Sequence, residues 1–451
     1  MVLAMKIPAT PPDWREILED YFNGNPASVR DVLMHTEVCY KGEYIHWDKL
    51  RRLNPPQGYT HEKWWLALKS ARQKQVKSLD SLVNTRHEPF IFSKPDPIPE
   101  LLHHIDQDAG GRIEMPDEGL TNPQTRNRYL LHSLTEEAIT SSQLEGATTT
   151  RKVAKEMLRE KRTPRDKNEQ MILNNYRTMQ LIREIKDQPL TPELVFEIHR
   201  TVTADTMDNP DDAGRFRTSD NVRVYENLSN EVLHTPPKCN ELPKRMQAMC
   251  DFANGNTPEY FIHPVVRAII LHFWLAYDHP FMDGNGRTAR ALFYWSMLQQ
   301  KYWLAEYISI SSIIKKAPSK YGRAYLHTET DENDLTYFII YHLDIIQKAI
   351  KELHHYIAEK TKSVQSIEMM LRNSSLKFNH RQITLLGHAL RNPSAEYSIK
   401  AYQNTHGIVY ETARGDLQYL EDKGLLVKRQ FGRSFIYYPS DQIDLILRAK
   451  D

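Results

Sequence analysis

From His263 to Gln300 the chain alternates a long apolar run with an abrupt stop, and this constrains its fold more than any other stretch. HPVVRAIILHFWLAYDHPF opens with His263-Pro264, a good helix entry because proline suits the first turn. Val265 through Ala276 are apolar on nearly every face, which predicts a buried helix. His279-Pro280 ends it, since proline disfavours helix for the residue before it. ARALFYWSMLQQ then reads as a second helix, so DGNGRT reads as a tight loop feeding a helix N-terminus. A chain built around two such helices is expected to be mainly α.

Helical periodicity continues on either side. TNPQTRNRYLLHSLTEEAITSSQLEG, RDKNEQMILNNYRTMQLIREI and TPELVFEIHRTVTAD carry apolar residues at spacings of three and four. In RFRTSDNVRVYENLSNEVLHTPP, by contrast, Val222, Val224, Val232 and Leu233 flank the turn-like ENLSN, which predicts a short β-hairpin. Residues 1–95 read as a small module of unknown role. They hold Trp14, Trp47, Trp64 and Trp65, four of the seven tryptophans, and a capped helix from Thr60 in THEKWWLALKSARQKQV. FIFSKPDPIPE, with prolines at 95, 97 and 99, reads as a linker to a second domain over 100–360. SIKAYQNTHGIVYETARGDLQYLEDKGLLVKRQFGRSFIYYP reads helix, turn, helix, then two strands around Gly432, a winged-helix pattern for a third domain over 375–451.

Composition narrows the function classes. The 451 residues are 40% apolar and 26% charged, with a net charge of +1, so no global field draws the chain to nucleic acid or membrane. Cys39, Cys239 and Cys250 match neither a zinc spacing nor a disulfide framework, which suits a reducing compartment. MVLAMKIPATPPDW lacks an apolar h-region, and no run approaches the ~20 apolar residues a membrane span needs. A cytoplasmic location without membrane partners is the expectation.

HPFMDGNGRTAR, residues 279–290, concentrates the chemistry. A helix N-terminus offers unpaired N–H groups and the positive end of the dipole. Gly284 and Gly286 would allow close approach and positive φ. Arg287 and Arg290, three apart, could lean over one side of that terminus and grip phosphate oxygens. Asp283 suits magnesium beside phosphates, and His279 could accept a hydroxyl proton. GNGRTA also fits a dinucleotide-binding string, but that fingerprint follows a strand and here a helix comes first. A structural helix–turn–helix whose arginines pair with acids stays open on these grounds alone.

HPFMDGNGRTAR matches the signature H-P-F-x-[DE]-G-N-G-R-x-x-R of the Fic family at each defining position, and the resemblance covers roughly residues 100–360. It implies an all-helical enzyme that transfers AMP from ATP to a Tyr, Thr or Ser hydroxyl of a target protein. His279 would then be the general base and Asp283 the Mg2+ ligand. Gly284, Asn285 and Gly286 would hold the phosphates, Asn285 through an anion-binding nest. Arg287 would contact the β- and γ-phosphates and Arg290 the γ-phosphate, with Thr288 in the same nucleotide-binding set. The hairpin with Val222, Val224 and Tyr225 resembles the family's flap, which positions a target segment by strand-like pairing. Tyr321, in SKYGRAY, falls where the family often places an aromatic near the nucleoside, although the usual tyrosine pair is not intact; a core tyrosine is the other reading.

SSQLEG, residues 141–146, resembles the family's inhibitory motif [ST]-x-x-x-E-[GN] and implies the class with an intramolecular N-terminal inhibitory helix. Ser141 and Glu145 lie four apart on one helix face, and Glu145 would pair with Arg290 where the γ-phosphate belongs. In some members that glutamate helps remove AMP from the target. Self-modification and a homodimer are further expectations. For the C-terminal domain two readings stand, protein contact or dimerisation and DNA binding. Arg414, Lys423, Lys428, Arg429 and Arg433 are offset there by Glu411, Asp416, Glu421 and Asp422. A DNA-binding regulator with a nucleotide-sensing core is the alternative to the enzyme.

Overall fold

The computed structural model describes residues 6–24, 30, 32, 34–110, 123–226, 230–372, 374, 376–392, 395–431 and 434–448. They are mostly helical, with short strands, as the periodicity predicts. Two compact units result, residues 1–353 and 354–451.

In the first unit the helix read from Thr60 is capped as expected, and two further helices are capped in the same way. Thr60, Asp166 and Thr191 each accept a backbone N–H through the side chain, opening the helices His61–Gln73, Lys167–Ile185 and Pro192–Thr203. The helix Pro264–Asp278 runs through the middle with Ile269, Ile270, Leu271, Phe273 and Leu275 fully buried. Helix Asn285–Gln299 returns alongside it and is buried over most of its length. Helices Pro123–Leu144 and Lys167–Ile185 cover one flank of this pair.

Trp64 and Trp65 join Ile45, Leu50 and Leu68 in a satellite core near the N-terminus, a packing role for those aromatics. An ion pair and two hydrogen bonds tie this region to residues 331–337. Lys69 Nζ donates to Asp331 Oδ1 at 2.8 Å, Arg72 donates to the Tyr337 hydroxyl at 2.9 Å, and the Tyr44 hydroxyl donates to Asp334 Oδ2 at 2.6 Å. FIF, read as the start of a linker, is instead part of the strand Pro89–Phe92, paired antiparallel with Lys77–Val83. Phe90 is fully buried with its ring 5.3 Å from that of Phe273, so burial overrides the proline-rich composition that follows. Pro97 caps the helix Ile98–Ile105.

The predicted hairpin forms from Val224–Tyr225 and Val232–His234, with Val224 opposite His234 and Tyr225 opposite Val232. Asn227, Leu228 and Ser229 of its turn lie outside the described residues, and Val222 lies two residues before the first strand.

The second unit contains the helices His380–Arg391, Ile399–His406 and Tyr410–Asp422 and a three-stranded sheet. Its middle strand is Ser434–Pro439, between Tyr397–Ser398 and Leu426–Phe431. Leu386, Ala413, Leu417, Leu420 and Leu425 form its core. Asp416, counted above among the acids offsetting a basic face, points inward and accepts from Arg381 Nε at 2.8 Å and Asn379 Nδ2 at 2.7 Å. Gly432 and Arg433 lie outside the described residues.

Phe273→Ala should lower the stability of the first unit by about 3–5 kcal/mol, because its ring packs on Phe90, Tyr277 and Phe338. Phe261→Ala, at a side chain 70% exposed, should change it by less than about 0.5 kcal/mol. Urea unfolding followed by tryptophan fluorescence separates the two.

Candidate active site

The helix Pro264–Asp278 ends on His279, a non-glycine residue in the left-handed region with φ 44° and ψ 55°. Its N–H still donates to Leu275 O at 3.0 Å, so the helix is capped as the chain turns away. Phe281 and Asn285 then lock the loop together. Phe281 N donates to Asn285 Oδ1 at 3.0 Å, and Asn285 Nδ2 donates to Phe281 O at 2.9 Å. Gly284, at φ 80°, immediately precedes the next helix, and a Cβ on it would stand 2.6 Å from Thr203 Cγ2.

One detail of this loop differs from the sequence reading. The helix starts at Asn285, so Gly286 and Arg287 belong to it and only Gly284 uses positive φ. Gly286 is required for space instead: a Cβ there would stand 2.9 Å from the Glu145 carboxyl carbon and closer still to Oε1. The Asn285 side chain braces the loop, which leaves its backbone N–H for a ligand. Thr288 is fully buried, with its hydroxyl donating to Gly284 O at 2.9 Å.

The two arginines diverge rather than leaning over one side. Arg290 is 1% exposed and meets the Pro123–Leu144 helix end. Its Nε donates to Ser141 Oγ at 2.8 Å, and its second terminal nitrogen donates to Ser141 O at 3.0 Å and Glu145 Oε1 at 2.8 Å. Arg287 donates to Val202 O at 2.9 Å and approaches Asp283 Oδ2 at 3.7 Å. Its Nε and other terminal nitrogen are buried without a hydrogen-bond partner. Buried guanidinium donors without a hydrogen-bond acceptor are costly, so this geometry suits an anionic ligand. Asp283 is 55% exposed; one oxygen accepts from Gly284 N.

Arg290 and Gly286 line a cavity of ≈ 210 Å3 together with Glu145, His234, His279, Tyr321 and Tyr325. Tyr321 lies against the pocket, with its hydroxyl 3.0 Å from that of Tyr325, one turn on, and 2.8 Å from His272 Nε2. Val224 also lines the cavity, while Tyr225 is half-exposed on the outer side of the hairpin.

Residues 189–297, which include the whole of this loop and both hairpin strands, match the Fic/DOC family model. This segment is similar to a Fic domain. The match extends to the protein adenylyltransferase Fic of Nematostella vectensis, 39% identical over 107 residues, covering 24% of this chain and 22% of that protein. The protein adenylyltransferase fic-1 of Caenorhabditis elegans is 36% identical over 98 residues, covering 22% of this chain and 17% of that protein. The chain thus spans about a fifth of the length of these relatives. A Fic family protein structure from Desulfovibrio desulfuricans G20 is 20% identical, with a TM-score of 0.49, covering 76% of this chain and 95% of that one.

Around this site, several positioning residues carry no motif signal. His199 accepts Gly214 N–H on Nδ1 and so donates from Nε2 to Asp283 O at 2.8 Å, and its ring stacks on Phe281 at 3.7 Å. Burial pushes His199 down to about 4 against the opposing hydrogen bond to Asp283 O, in keeping with that neutral tautomer. Arg217 donates from its backbone to Pro280 O at 2.9 Å and from Nε to His279 O at 3.0 Å. Glu137 accepts from the hydroxyls of Tyr294, Ser309 and Ser311, fixing the Pro123–Leu144 helix against helix Asn285–Gln299. None of these contacts is local in sequence.

His279 is also pushed down to about 4, first by burial and then by the charge of His234, so at neutral pH its ring is unprotonated. Nδ1 faces Ala276 O at 3.4 Å, an acceptor, which leaves the Nε2 lone pair free. Glu145 is enclosed by protein yet opens onto the cavity, so a third of its side chain is accessible. Burial alone would raise its carboxyl, but Arg290 outweighs that and holds it below 4.5. Its folded value is therefore depressed. The pair adds stability above the unfolded value of 4.5 and loses it as pH falls through the lower folded value. Glu145→Gln should remove that part of the acid-limb dependence below pH ~4.5 and leave the neutral-pH dependence unchanged, as read from unfolding midpoints across pH.

Proposed function

We propose that the chain is a protein adenylyltransferase. It moves AMP from ATP to a Tyr, Thr or Ser hydroxyl of a target protein, and Glu145 restrains it. The reading is supported above all by one cavity that gathers a neutral His279, a glycine-entered helix N-terminus and a buried arginine already bound to a carboxylate.

In the transfer, His279 Nε2 takes the proton of the target hydroxyl. The oxygen attacks the α-phosphorus in line, the bond from that phosphorus to the bridging oxygen breaks, and pyrophosphate leaves. The protein's part is positioning and charge neutralisation. The first N–H groups of helix Asn285–Gln299 face the phosphates, the unmatched donors of Arg287 take β- and γ-phosphate oxygens, and Arg290 takes the γ-phosphate. The Val224–Tyr225 strand aligns the target segment by backbone pairing. Tyr321 and Tyr325 wall the nucleoside side.

Asp283 fits Mg2+, because magnesium commonly takes one or two carboxylates with phosphate oxygens and water, and this carboxylate is solvent-accessible. Bound there, the ion would supply positive charge to the phosphates. No cluster of three acidic, histidine or cysteine residues suited to a metal occurs among the described residues.

Restraint follows from Glu145 occupying the Arg290 edge that a γ-phosphate needs. A carboxylate and a phosphate cannot share it, because like charges repel strongly away from bulk water. ATP then sits with its α-phosphate out of line. The second unit is read as a winged-helix module for partner contact. No helix among the described residues is long and apolar enough to cross a membrane.

Glu145→Gly should raise AMP incorporation, self-modification included, by ~10-fold or more, the scale of one charge-assisted contact. Adding His279→Ala should lower it by ~10²–10⁴-fold, the usual contribution of a general base. Labelled ATP with magnesium reads both, and equal labelling in wild type and both variants would reject the assignment.

A further inference from the structure

His234 ends the second hairpin strand, opposite Val224, and lines the same cavity as His279. Both of its ring nitrogens meet an oxygen at 2.7 Å: Nδ1 meets Glu329 Oε2 and Nε2 meets Tyr277 O. A backbone carbonyl can only accept, and a carboxylate can only accept. A neutral imidazole has one N–H, so serving both acceptors requires two. The ring also packs against Tyr277, centroids 4.6 Å apart, and its side chain is 9% exposed.

The three partners belong to three different elements. His234 comes from the hairpin, Tyr277 lies two residues before His279, and Glu329 lies on the helix Pro318–Thr330 that also presents Tyr321 and Tyr325. One side chain therefore joins the wall that aligns the target, the carrier of the base and the nucleoside wall. Charged and titratable neighbours are Glu329 on that helix, and Asp278 and His279 at the end of helix Pro264–Asp278. Arg245 neutralises Asp278 through Nε at 2.8 Å, and Glu145 and Arg217 also face His279.

We propose that His234 is a positioning residue for the transfer reaction, held as an imidazolium that pins the hairpin across the pocket and keeps His279 in its neutral, proton-accepting form. Two neighbouring imidazolium rings would repel, so a fixed charge on His234 disfavours a second one on His279. In agreement, burial alone would push His234 down, yet the Glu329 carboxylate holds it above the ordinary histidine range, while His279 goes the other way. This role rests on the adenylyltransferase reading, but the charge state does not.

Glu329→Gln is the informative variant. Its amide can donate to Nδ1 of a neutral His234 while Nε2–H still donates to Tyr277 O, so the bonds persist and the charge goes. Ring-labelled 15N-histidine spectra of the intact chain without nucleotide read both histidines, with assignments from His234→Gln and His279→Ala. Wild type should show His234 doubly protonated at pH 7 and His279 neutral. Glu329→Gln should show a neutral His234 and a His279 titration moved up by about half a unit or more. In the Glu145→Gly chain, the acid limb of the AMP-transfer rate should rise by the same amount in Glu329→Gln and in His234→Gln. A singly protonated His234 in wild type at pH 7, or an unmoved His279 titration in both variants, would overturn the proposal. Normal spectra with no AMP transfer in any chain would uphold the charge and its coupling to His279 and remove the transfer reading instead.

Discussion

A guanidinium with 1% exposure must be met by acceptors, and Arg290 organises much of the first unit around that requirement. It lies within helix Asn285–Gln299, among apolar neighbours, and its acceptors come from residues about 150 positions earlier. Ser141 supplies a hydroxyl and a carbonyl, and Glu145 supplies charge. Meeting them fixes how the Pro123–Leu144 helix lies on its neighbour, and Glu137 repeats the link one turn earlier through Tyr294. The pocket floor inherits that rigidity. Gly286 shows how closely the parts fit, since no side chain could stand between it and Glu145.

Bound to a carboxylate, Arg290 is satisfied. To act on a triphosphate it must exchange one anion for another, with no net loss of pairing. That exchange is a sensible basis for a switch, because removing the first anion without replacing it leaves a buried charge unmet. The loop beside it is already formed. Left-handed backbone at His279 and at Gly284 is held by Arg217, His199 and the Asn285 side chain, which fixes the path of the chain between the two helices.

What the sequence disclosed follows from the range of the forces involved. The cap at Thr60, the proline stop after His279 and the hairpin around 226–230 depend on neighbours within a few residues, so they were legible. The pairing of Glu145 with Arg290 was reached only through a resemblance, since nothing local joins two side chains that far apart. The task of Gly286 was misassigned for a related reason. Its need is space beside Glu145, whereas a glycine in sequence suggests a turn. His234 gave no signal at all, because Glu329 lies 95 residues away. The strand at Pro89–Phe92 was hidden by the prolines after it, and only Phe273 and the backbone of residues 333–335 reveal why it is ordered.

The central claim is that Glu145 and a γ-phosphate compete for the same edge of Arg290. Calorimetric titration of ATP and ADP into the wild-type chain and into Glu145→Gly, with magnesium present, tests it most directly. The variant should prefer ATP over ADP by about 10–100-fold, the scale of a charge-assisted pair, while wild type should discriminate little. The same ATP-to-ADP ratio in both chains would contradict the account.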